Sequence, residues 1–171
     1  MTTGKFLVIA IVICAAVAGG SLYYLQIYHF YERLSAQGQQ INATSLNGDL
    51  SPLPISNFIG IDASSSPIRY RACFDIDLSL DEAKTQFSPY PDRSAPRTAP
   101  FWFECFDADA IGAQIAAGDA VIFTGTTNIE YGIDRVVALT SQGRGYVWHE
   151  INDCGDKAYD GSPLGDDCPE R

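Results

Sequence analysis

Basic residues are scarce in this chain: 11 Lys and Arg stand against 21 Asp and Glu, a formal net charge of −10. A surface for nucleic acid needs clustered cations to meet phosphates, so no nucleic-acid partner is expected. Metal and redox ligands are scarcer still. Met1 is the only methionine, His29 and His149 are the only histidines, and the five cysteines form no CxxC, CxxxC or CxxCH. Copper sites, c-type haem attachment and thioredoxin-like chemistry therefore lack their ligands, and no cofactor or metal is expected. Serine and aspartate are plentiful, yet none stands in a nucleophile elbow or a phosphate-cradling glycine loop, so no enzyme activity is expected. Internal repeats and low-complexity blocks are missing too, which argues against a solenoid or a long disordered arm.

What is present is unevenly spread. With 46% apolar residues in 171 the chain can bury one modest core, but much of that apolar content lies at the start. From Phe6 to Leu25 the run FLVIAIVICAAVAGGSLYYL carries no charge. Residues 6–28 at ~1.5 Å each make about 34 Å of helix, enough for a hydrocarbon core roughly 30 Å thick. Tyr23, Tyr24, Tyr28, Phe30 and Tyr31 follow at its distal end, amphipathic rings of the kind that settle where acyl chains meet headgroups. A cleaved signal peptide is the rival reading, since Lys5 precedes the run and Ala16-Val17-Ala18 could be cut. Lys5 and the amino terminus flank one side, whereas Arg33 on the other is offset by Glu32, so the positive-inside bias keeps the N-terminus cytoplasmic.

Within the span, Ala15 and Gly19, and Ala16 and Gly20, recur at a spacing of four, as do Ala10, Cys14 and Ala18. Small residues so spaced let a second helix approach closely, which makes other transmembrane subunits, beside the lipid bilayer itself, the expected partners.

All acidic residues but Glu32 lie beyond Arg33, so the negative charge belongs to the region outside the membrane. The division expected is residues 1–33 for the helix and its aromatic interface, 34–57 for a linker, and 58–171 for an α+β domain with an antiparallel sheet and short helices. Residues 35–56 are polar and lack sustained periodicity, although Ile41 and Leu46 could dock locally. Asn42-Ala43-Thr44 matches a glycan acceptor, which carries no meaning in a bacterial envelope. Residues 67–77 alternate as a strand, with Ile68, Tyr70, Ala72, Phe74 and Ile76 on one face. Residues 78–87 read as a short helix with Ser79 and Glu82 in a capping box. Four prolines make residues 88–100 a surface loop, and the aromatic run 101–106 reads as a central strand. A helix then starts at Asp107 or Asp109 and stops at Gly118. Strands at 120–124, 133–140 and 146–151 form a meander, with a turn at 141–145.

The four cysteines beyond the span form an even set, as in an oxidising compartment. They allow three pairings; Cys73 with Cys105 and Cys154 with Cys168 is preferred, the second closing a tail too poor in large apolar residues to fold on burial alone. His149, between Trp148 and Glu150, is read as a hydrogen-bonded, partly buried residue rather than a general base. Asp153, Asp156, Asp160, Asp166 and Asp167 raise a calcium reading, but their spacing departs from the EF-hand pattern and a solvated acidic loop is preferred.

The stretches YYLQIYHFYERL, FWFECF, NIEYGIDRVVAL and YVWHEINDCGDKAYDG together resemble a family of uncharacterised single-span envelope proteins of alphaproteobacteria. The resemblance implies a bacterial inner membrane with the C-terminal domain periplasmic, and no established activity. The expected role is a non-catalytic accessory subunit or assembly partner of an inner-membrane complex, with a respiratory one, of cytochrome oxidase or bc1 type, as the first choice. The acidic head could also concentrate a basic periplasmic electron carrier such as a soluble cytochrome. The alternative is a free-standing anchored module that binds a small ligand or peptide through Arg69, Arg71, Arg93 and Arg97.

Overall fold

The computed structural model describes residues 2–91, 94–165 and 168–170; Arg93, Asp166 and Asp167 lie outside the described residues. The chain forms two compact units, Met1–Glu32 and Arg33–Arg171.

In the first unit, helix α1 spans Thr3–Tyr24 and continues as a π-helical turn over Leu25–His29. The run contains no proline to break the backbone ladder. None of its residues is buried. Its apolar side chains are exposed on every side, and Thr3–His29 is long and apolar enough to cross a membrane. A helix of this kind near the N-terminus is a membrane anchor or a signal sequence.

The second unit is an α+β head. Its main sheet has six strands, β1 (Glu32–Leu34), β4 (Ile55–Asp62), β5 (Arg71–Ile76), β6 (Ala120–Glu130), β7 (Ile133–Thr140) and β8 (Arg144–Ile151), in the order β1-β4-β5-β8-β7-β6. The β4/β5, β5/β8, β7/β8 and β6/β7 pairs are antiparallel. After β5 the chain leaves the sheet, builds helices α2 (Leu80–Gln86) and α3 (Ala108–Ala117), and re-enters at the far edge as β6. The expected meander then brings it back through β7 to set β8 against β5.

Local signals worked well at the helices. Ser79 Oγ accepts from the Glu82 amide while the Glu82 carboxylate accepts from the Ser79 amide, a complete capping box on α2. Asp107 caps α3 by accepting from the Asp109 and Ala110 amides, and Gly118, at φ 81°, ends it in the left-handed conformation.

One face of the sheet carries the main core. Ala72, Phe74 and Ile76 of β5, Val137 and Leu139 of β7, Val147 of β8 and Phe123 of β6 meet Leu80, Ala83 and Phe87 from the α2 segment. Each large side chain so buried contributes about 1.5–3 kcal/mol. Gly145 is required in β8 because the ring of its cross-strand partner Phe74 fills its side-chain space, 2.2 Å from where a Cβ would stand.

Three expectations are corrected. Residues 35–56 are not a bare linker. They contain an antiparallel hairpin of β2 (Asn42–Thr44) and β3 (Leu50–Pro52), and Ile41, Ala43 and Leu53 are buried in the main core. Thr44 Oγ1 donates to the Gly125 carbonyl at 2.8 Å, fixing the hairpin to β6. Of the two docking residues suggested by sequence, Ile41 is buried and Leu46 is exposed. The strand expected over 67–77 begins only at Arg71, because Pro67–Arg69 forms a 3-10 turn.

The third correction concerns residues 101–106, which form successive turns rather than a central strand. The Phe103 amide bonds to the Pro100 carbonyl and that of Phe106 to Phe103. Cys105 is bonded to Cys73 on β5, which holds this segment over the second face of the sheet. There its aromatics are used as a lid: Phe106 packs edge-on against Tyr146 and Trp148.

Candidate functional site

A polar cleft lies where β7 begins and β8 ends, walled by the proline-rich loop and by the tail. It encloses about 410 Å³ and is lined by Tyr90, Ser94, Arg97, Thr127, Asp134, Glu150, Asn152, Asp153 and Asp156, among others. Asp134 and Glu150 are direct cross-strand partners and both are buried. Two carboxylates so placed repel each other, so the fold must satisfy them.

It does so atom by atom. Arg97 Nη2 donates to Glu150 Oε2 at 2.7 Å, and the Trp148 indole donates to Oε1 at 2.7 Å. Asp134 Oδ1 accepts from the Asn128 amide at 2.8 Å and from Asn152 Nδ2 at 2.6 Å, while Oδ2 accepts from the Tyr90 hydroxyl at 2.9 Å. Every carboxylate oxygen of the pair therefore has a strong donor from the protein itself. The arrangement anchors the proline-rich loop and the turn after β8 to the sheet.

A second buried polar group sits nearby on β5. Arg71 is almost fully buried and donates to the carbonyls of Ile68, Tyr70 and Arg97 at 2.7–2.9 Å, with its guanidinium over the Phe106 ring. Of the four arginines suggested as a ligand surface, Arg71 is internal, Arg97 is paired with Glu150, Arg69 is half-buried, and Arg93 lies outside the described residues.

His149 is buried at the margin of the main core. Its ring stacks on Tyr70, with centroids 4.8 Å apart, and the Arg135 guanidinium also lies over that tyrosine, 4.1 Å from its centroid. Arg135 Nε donates to Nε2 at 3.0 Å, so the imidazole carries its proton on Nδ1 and donates it to the Pro67 carbonyl. Burial pushes the His149 pKa down to about 4; the Pro67 hydrogen bond opposes this, and the Arg135 and Arg71 charges add to it. Burial likewise raises the Tyr70 hydroxyl above its usual value. The histidine is thus held neutral, with both ring nitrogens engaged.

The cysteines pair as preferred from sequence: Cys73 with Cys105 and Cys154 with Cys168, at Cα separations of 6.3 and 5.5 Å, leaving Cys14 as an exposed free thiol in α1. Among the described residues no three His, Cys, Asp or Glu side chains gather to hold a metal ion. Asp160 caps its own turn by accepting from the Ser162 amide and hydroxyl, which lowers its pKa, and Asp153 and Asp156 line the cleft. The small residues Ala15, Ala16, Gly19 and Gly20 are all exposed on α1. Of the aromatic anchors, Tyr28 stacks on Tyr24 and meets Tyr23 edge-on; Phe30 and Tyr31 are half-buried.

Sequence reasoning missed Asp134 and Glu150. The available signal was a carboxylate inside each of two largely apolar stretches, IDRVVALT and YVWHEI, where burial demands dedicated partners.

Comparison with known proteins places residues 41–169 in a family of unknown function, DUF6446, and the chain belongs to that family. The matched region starts at the buried Ile41, so it takes in the hairpin and every strand of the main sheet except β1. No curated protein matches the chain. No solved structure does either.

Proposed function

We propose that this chain is a non-catalytic accessory subunit or assembly partner of a bacterial inner-membrane complex, anchored by α1 and carrying its head in the periplasm. One observation supports the non-catalytic part: the buried carboxylates Asp134 and Glu150 and the buried imidazole of His149 are committed to the fold. Both oxygens of Asp134 and of Glu150, and both ring nitrogens of His149, have protein partners. A general acid or base needs an atom free to exchange a proton with substrate. The anchoring part is supported by the length and apolar character of Thr3–His29 and by its unburied surface. The small residues of α1 offer the close-approach surface that a partner helix would use.

The assembly to test first is a respiratory complex. The acidic head would also attract a basic periplasmic electron carrier, an effect that weakens as salt rises. Native membranes solubilised in mild detergent should yield the chain together with stoichiometric transmembrane subunits, and replacing Gly19 and Gly20 by leucine should loosen that association. Recovery of the chain alone, or co-purification unchanged by the leucines, would refute the role of the helix surface.

The cleft beside Asp134 and Glu150 supports a second reading, an anchored module that takes a small polar ligand or peptide. In that case the chain should purify alone with ligand bound.

A further inference from the structure

We propose that the turn carrying Phe101 and Trp102 is a membrane-contacting loop, seated in the headgroup region of the bilayer that α1 crosses. The inference rests on the reading of α1 as an anchor and adds to it a second point of contact, supplied by the head.

Chain connectivity sets the distance. The helical run ends at His29 and the head begins with Arg33 in β1, where Leu34 already packs against the core. Four residues reach at most about 14 Å when fully extended. Arg33 is therefore held close to the membrane exit however the head is tilted. Trp102 is fixed to that same point of the head, with the Arg33 guanidinium 5.3 Å from its ring centroid.

The turn is also rigid and apolar at its tip. Cys105 is bonded to Cys73, and Phe103 and Phe106 are buried, so the backbone on one side of the tip is anchored to the sheet. Phe101 is nevertheless 68% exposed. This leaves apolar surface at the tip, beside a half-buried tryptophan and a cation. Tryptophan with an exposed phenylalanine suits the boundary between acyl chains and headgroups, and arginine there meets lipid phosphate. The partner indicated is a phospholipid surface.

Tryptophan emission tests this directly. The chain has two tryptophans, and Trp148 is fully buried in the head. Full-length chain is reconstituted in phosphatidylcholine vesicles whose acyl chains are brominated either near the headgroup or near the bilayer centre. Emission should fall with shallow bromines and fall less with deep ones. W102F should abolish the loss and F101D should diminish it, while an alkaline wash leaves the chain in the vesicles. Emission equal in brominated and plain vesicles, from chain that survives the wash, would overturn the loop contact alone. Chain removed by the wash would overturn the anchor reading and this proposal with it.

Discussion

Replacing His149 with glutamine should flatten the acid sensitivity of the head. In the folded chain the imidazole is buried and neutral, with its pKa held at about 4 against the ordinary 6.5. The unfolded chain therefore binds a proton that the folded chain refuses wherever the pH lies between those values. Stability from this group is complete above 6.5 and drains as the pH falls toward about 4. With each pKa unit worth about 1.4 kcal/mol, the loss is about 2 kcal/mol between about pH 7 and about pH 5, and levels off at about 3 kcal/mol in stronger acid. Glutamine offers an amide to the Pro67 carbonyl and an oxygen to Arg135, but cannot titrate. It loses the stack on Tyr70, so the variant starts out weaker. The discriminating measurement is the slope: urea unfolding at both pH values, followed by tryptophan emission, for wild type and H149Q. Other titrating groups contribute equally to both proteins and cancel in the difference. If H149Q lost as much stability as wild type over that interval, the histidine would not be the buried neutral group described.

Two further perturbations probe the walls of the cleft. Replacing Cys154 and Cys168 by serine opens a loop of sequence separation 14 and should cost about 3 kcal/mol by loop closure; thermal unfolding should shift down and limited proteolysis should cut the tail, whereas a tail still resistant would show that burial alone holds it. R97A removes the cation from buried Glu150 and should cost about 1–2 kcal/mol, the lower range because the Arg97 side chain is 34% exposed to solvent. An unchanged melting temperature for R97A would mean the pair does not fasten the proline-rich loop.

Much of the fold was legible where a local interaction decides the outcome. The capping box of α2, the Asp107 cap and Gly118 stop of α3, and the alternation through β5 each depend on residues within a few positions of one another. The hairpin at 42–52 was not legible, because its strands are three residues each and too short to establish a period. Its stability comes from elsewhere: Ile41 and Leu53 enter the core, and Thr44 bonds to Gly125 on a strand far along the chain. The run 101–106 misled for a related reason. Aromatic density reports that a segment will be buried, not that its backbone will pair with a neighbour. Here the backbone satisfies itself in turns while the rings cover β5 and β8.

The polar site was the least legible part, and its construction explains why. Asp134 and Glu150 lie sixteen positions apart in sequence but directly opposite in the β7/β8 register. Their partners come from four separate places: Tyr90 and Arg97 from the proline-rich loop, Trp148 from β8 itself, Asn128 from the end of β6, and Asn152 from the turn after β8. No spacing rule links these residues, since the sheet brings them together. A buried carboxylate with every oxygen occupied is costly to assemble and gains little over an apolar pair. What it confers here is position, because the bonds from Tyr90, Arg97 and Asn152 run between the sheet and segments outside it. The same logic applies to Arg71, whose carbonyl partners on residues 68, 70 and 97 hold the strand entrance and the loop together. Polar groups thus serve in this head as fasteners for its loops.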